Sequence, residues 1–142
     1  MAPSDAGVST KTNRSFLANF LLFDGFATGL PCIAFGMLGY RLGPVIGISG
    51  RYASVKFGML AVYGCSLAYS MLGQRKASFT HVLCAAAANI AFAAETVHAY
   101  YTGRLDGLTW LGKLMMSSLA GGGLAFPIVM WQGYIQQQAK TE

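Results

Sequence analysis

Residues 81–98 read HVLCAAAANIAFAAETVH. The stretch is apolar and built of small side chains, as a membrane helix is, yet it carries Asn89, Glu95 and two histidines. On a helix of about 3.6 residues per turn, His81, Cys84, Ala88, Ala91, Glu95 and His98 follow at steps of three and four and share one face. An ionisable group inside a membrane span is costly to bury, which makes it a candidate functional site. The fold class follows from asking what the rest of the chain brings to this helix.

The chain has 142 residues, of which 54% are hydrophobic and 11% charged. A soluble domain carries about 25% charged residues, so the long apolar runs point to an all-α, four-helix antiparallel transmembrane bundle. The net charge of +5 has no basic run interleaved with aromatics, which excludes nucleic acid as an expected partner and leaves anionic lipid headgroups. Cys32, Cys65 and Cys84 lie in apolar runs with no C-x-x-C spacing, so they read as buried free thiols rather than disulfides or a metal site. There is no Walker loop, Rossmann fingerprint, zinc motif or internal repeat, and no cofactor or metal is expected.

Residues 1–15 are polar, small and without periodicity, and read as a loosely held tail. The apolar stretch after Arg14 is too long for the h-region of a signal peptide. The spans are expected at about 16–40, 52–72, 79–101 and 108–131, since roughly 20 apolar residues cross a bilayer. The first contains Asp24 and Pro31, with Gly25, Gly29, Gly36 and Gly39 available for close helix approach. Pro31 is expected to kink it. Residues 41–51, rich in Gly and Pro, read as an interfacial loop. The second and third spans, joined by a short turn, form a hairpin. In the fourth span Gly121, Gly122 and Gly123 mark a close crossing or a break, and Trp110 and Trp131 suit the two interfaces. Residues 132–142 read as a polar tail. Four spans place both termini on one side, where a small excess of basic residues favours the cytoplasm.

Depth decides which polar groups can meet. At about 1.5 Å per residue, Glu95 lies roughly 9 Å from the end of its span, and Lys56 and Lys113 reach a similar layer from the same side, with His98 closer to water. Asp24 enters from the opposite side and sits some 12 Å along the axis from Glu95, so the two carboxylates are not a direct pair; Thr28, Tyr63, Tyr69 and Asn19 are its candidate partners. Asn89 lies on another face of its helix and suits a helix–helix hydrogen bond.

In an apolar pocket, burial penalises a carboxylate's charged form and a neighbouring ammonium restores it. Asp24, Glu95, His98 and Lys56 are therefore the candidate catalytic residues, the two acids transferring protons and the other two assisting. The competing structural reading is a Glu95–Lys56 or Glu95–Lys113 pair that holds the helices in register, with interfacial histidines and snorkelling lysines.

The size, the span count, the run YGCSLAYSML (63–72) and the run FAAETVHAYYTGRL (92–105) resemble two groups of small membrane proteins. These are the DoxX-like proteins and the ergosterol-biosynthesis scaffold family, whose second-span arginine has no counterpart here. The scaffold resemblance implies tethering of sterol enzymes in the endoplasmic reticulum. The expected function is acid/base chemistry on a lipophilic small molecule: epoxide hydrolysis, isomerisation or cyclisation. The alternatives are a non-catalytic scaffold and an accessory subunit of a larger membrane complex. Expected partners are membrane lipids, the lipophilic molecule, and other membrane enzymes or a second copy through the Gly-rich faces. The endoplasmic reticulum is the expected location and the mitochondrial inner membrane the alternative.

Overall fold

A computed structural model describes residues 14–140. Among them the fold is all-helical: α1 (Phe16–Met37), α2 (Gly39–Ile46), α3 (Gly50–Met71), α4 (Phe79–Tyr101) and α5 (Trp110–Ala139). Residues 1–13 of the expected N-terminal tail lie outside the described residues. Ser15, Ser49, Ser78 and Thr109 start the four long helices, each accepting from the backbone N–H three residues on. These hydroxyls satisfy donors that a helix start leaves orphaned, and the starts expected from the apolar runs fall within two residues of the observed ones.

Three helices, α1, α4 and α5, are long and apolar enough to cross a membrane, not the four expected. The exception, α3, has the length of α1, at 22 residues. Its Arg51 and Lys56, together with three each of Gly, Ser and Tyr, dilute its apolar character.

A further expectation is corrected. The 41–51 loop is largely helix: α2 runs to Ile46 and ends at Gly47, whose φ of 82° suits glycine. The glycines read as loop formers are packing positions, for a Cβ at Gly43 would meet the Ile48 carbonyl oxygen and the Gly50 Cα, both at 2.9 Å. Of the two readings of the triple glycine, the close crossing holds and the break does not: a Cβ on Gly123 would lie 2.6 Å from the Asn89 carbonyl oxygen on α4, while α5 runs on unbroken, because backbone groups in an apolar environment have no better partner than the helix itself. Pro31 lies inside α1, which continues past it to Met37.

The expected C-terminal tail continues α5 as far as Ala139, leaving Trp131 exposed but about two turns inside the helix end. Gln137 anchors that extension. Its buried amide accepts from Ser15 Oγ (2.8 Å) and Ala77 N (3.2 Å), and donates to Ala77 O (2.8 Å). Arg14 caps α3 at the same end, donating from Nε to the Gln74 carbonyl (2.9 Å) and from Nη2 to that of Met71 (2.5 Å).

The helices associate chiefly as two pairs, α1 with α3 and α4 with α5. The first pair closes on a glycine seam. A Cβ at Gly25 would lie 2.6 Å from Ala68 N, one at Gly29 would lie 2.9 Å from Cys65 N, and Gly64 faces Gly29 from the other side. The expected hairpin of second and third spans is therefore loose: the α3 and α4 backbones have few close approaches, and long side chains cross the space. We expect Gly64→Val to lower stability by about 3 kcal/mol or more, at the upper end of overpacking costs. Gly58→Ala, where a Cβ meets nothing within 4 Å, should be neutral or stabilising; thermal unfolding in detergent measures both.

Of the three cysteines only Cys32 is buried. Cys65 and Cys84 lie on exposed faces, and all three thiols are free.

Candidate functional site

The stripe along α4 is not its buried face. Val82, Ala85, Ala93, Thr96 and Ala99 are buried, whereas Cys84, Ala91 and His98 are exposed. The helix is turned by about one residue from the expected setting. Asn89 and Thr96 thereby join the interior, and Glu95 lies at its edge.

Two separate polar clusters result. In the first, Asp24 is 1% exposed, at the centre of the bundle. Tyr63 on α3 donates its hydroxyl to Asp24 Oδ2 (3.0 Å). Asn89 on α4 donates to the Tyr63 oxygen (2.8 Å), more distantly to Asp24 Oδ2 (3.4 Å), and to its own helix at Ala85 O (3.0 Å). Thr28, one turn along α1, donates to Oδ1 (3.3 Å). The carboxylate thus accepts from three neutral donors, and among the described residues none of its partners is a cation. Oδ2 is held by a chain running Asn89 to Tyr63 to Asp24, while Oδ1 has only the long Thr28 contact.

Asp24 lines a cavity of about 470 Å³ whose walls are otherwise mostly apolar, among them Phe57, Leu60, Phe92 and Phe126. Helices α1, α3, α4 and α5 all contribute to it. The volume lies within the range of small-molecule sites, roughly 300–1,000 Å³. We expect Tyr63→Phe to destabilise the fold by about 1–3 kcal/mol, since it leaves both the Asp24 oxygen and the Asn89 amide short of a partner. The melting temperature in detergent checks this.

In the second cluster Lys56 Nζ pairs with Glu95 Oε2 and also donates to Thr96 Oγ1 (2.8 Å). Tyr52 donates to Glu95 Oε1 (2.8 Å). The Lys56 side chain is 3% exposed and that of Glu95 38%. Every polar atom here has a partner on a facing helix or on its own.

The expected layer of Glu95, His98, Lys56 and Lys113 is therefore only half assembled. Among the described residues the His98 and Lys113 side chains form no hydrogen bond or ion pair, and both residues are exposed. Glu95 is paired with Lys56, not Lys113. His81 serves the helix start: its ring Nδ1 closes a capping box with Ser78. The separation of Asp24 from Glu95 matches the depth count, since the two share no hydrogen-bond partner.

Sequence reasoning missed Tyr52 and Thr96, and it read Asn89 only as a helix contact. The signals were present: Tyr52 precedes Lys56 by one turn, and Asn89, Ala93 and Thr96 recur at steps of four and three on one face. Comparison of the chain with protein-family models, curated proteins and solved structures gives no match.

Proposed function

We propose that this is a small multi-pass membrane protein that carries out acid/base chemistry on a lipophilic molecule held in the central cavity, with Asp24 as the proton-transferring group. The observation that carries the reading is a carboxylate 1% exposed on the wall of an apolar cavity, held by neutral donors only. A lone buried acid is expensive. A polar wall used only for packing would be served as well by an amide.

Epoxide hydrolysis, isomerisation and cyclisation share one requirement, a proton moved in a site that excludes water. In an isomerisation, Asp24 Oδ1 takes a proton from one substrate carbon and returns it to another, while Tyr63 and Asn89 hold Oδ2. The roles of Glu95 and Lys56 are then to keep the helices in register, and His98 lies at the membrane interface. We read α3 as a fourth crossing, screened from lipid along its seam with α1. The endoplasmic reticulum is the compartment the scaffold resemblance implies.

The test compares lipid-soluble metabolites of cells expressing the wild type or Asp24→Asn at equal protein levels. Loss of a product supports the reading, and unchanged products overturn it. The fully partnered Lys56–Glu95 cluster favours a second reading, a non-catalytic scaffold for membrane-bound biosynthetic enzymes. A scaffold would copurify with those enzymes and tolerate Asp24→Asn. An accessory subunit would instead migrate in a large detergent-stable particle.

A further inference from the structure

Helices α1 and α5 meet at one end and part towards the middle. Near the chain termini they touch: Phe20 and Phe126 form an edge-on ring pair at 5.4 Å, and Leu17 Cδ1 would lie 3.3 Å from a Cβ on Gly133. At the opposite end α5 is tied to the end of α2 instead, through Thr109 N to Ile46 O (3.2 Å) and Thr109 Oγ1 to Val45 O (3.0 Å). Between these two closures the cavity has exposed lining residues on both sides, Ala27 and Pro31 on α1 and Leu114 and Ser118 on α5. Its inner wall, with Phe57, Leu60 and Gly123, is buried.

We propose that this gap is a lateral portal, halfway along α1, that admits a lipophilic ligand from the bilayer to Asp24. The inference rests on reading the central cavity as the substrate site. The depth sets the ligand class. A charged headgroup is strongly disfavoured at the bilayer midplane, so the occupant is an uncharged, carbon-rich molecule. The polar groups of the inner wall gather at Asp24, with Thr28, Tyr63 and Asn89 around it, while Ser118 donates to its own helix at Leu114 O (2.9 Å), which suits a single hydroxyl, epoxide or carbonyl oxygen on the ligand. At an interior packing density of about 0.74, a cavity of this size holds at most roughly 20 heavy atoms.

Adjacent glycines on α5 give a clean test. A Cβ on Gly121 or Gly122 meets nothing within 4 Å, so a side chain can start from either position, but only Gly122 lines the cavity. The probe is a farnesol analogue carrying a diazirine, photolysed with the purified full chain in phosphatidylcholine nanodiscs. Wild type, Asp24→Asn and Gly121→Leu are expected to label on cavity peptides, and Gly122→Leu to lose labelling by about tenfold because its side chain fills the space the probe needs. Ser118→Trp, at the mouth, should reduce labelling in the same direction. Thermal unfolding of each variant separates blockade from misfolding. Equal labelling of Gly122→Leu and wild type, equal losses in both glycine variants, or no cavity labelling in the wild type would each overturn the portal. If labelling follows Gly122 while Asp24→Asn leaves metabolites unchanged, the portal stands and the acid/base reading falls.

Discussion

Replacing Asp24 by Asn should lower product formation by about 10²–10⁴-fold, the usual contribution of a positioned acid or base, and leave the helices assembled. Asparagine has almost the same shape: its carbonyl oxygen, set in the place of Oδ2, can still accept from Tyr63, and its NH2, in the place of Oδ1, can donate to the Thr28 hydroxyl oxygen. What it loses is the capacity to take and return a proton. The stability effect should run the other way from the activity effect. The wild-type carboxylate is 1% exposed and its partners are Thr28, Tyr63 and Asn89. A neutral amide avoids the cost of burying charge, so the melting temperature in detergent should hold or rise. This divergence is diagnostic. A purely architectural Asp24 would give a variant that melts earlier and retains product in proportion to the folded fraction.

The second large effect concerns Lys56 and Glu95, and it should be asymmetric. Removing one member of a buried ion pair costs about 3–5 kcal/mol because the other charge is stranded. The two partners are not equally buried, at 3% exposure for Lys56 and 38% for Glu95. Glu95→Leu strands an enclosed ammonium, whose remaining partner is Thr96, and should cost about 3 kcal/mol. Lys56→Met strands a carboxylate that keeps its Tyr52 hydrogen bond and can swing outwards, so it should cost clearly less. The double variant should be more stable than Glu95→Leu alone, because no charge is left stranded. Unfolding in detergent, read as a double-mutant cycle, measures all three. Equal losses in the two single variants would show that burial does not govern this pair.

The Glu95–Lys56 pair shows what depth alone can reach. Both residues were assigned to one layer by counting residues from the span ends, and they do meet. The same count put Lys113 and His98 in that layer, and both face outwards. Axial position follows from the rise per residue; rotation about the axis does not. Asp24 illustrates the same division. Thr28, one turn on, and Tyr63 were legible as candidate partners, whereas its contact with Asn89 depends on how far α4 is rotated.

By itself the sequence determined the helical character, the approximate start of each long helix through its apolar run, and the small-residue seam by which α1 can approach another helix closely. Only the tertiary structure decided that this partner is α3, that α4 presents Asn89 and Thr96 inwards rather than its His81–His98 stripe, and that α2 and the end of α5 are helical. The reason is that in an apolar surrounding the two faces of such a helix have little hydrophobic contrast between them. Lipid and protein interior are equally oily, so the inward face is chosen by close backbone packing and by the few polar groups that must find one another.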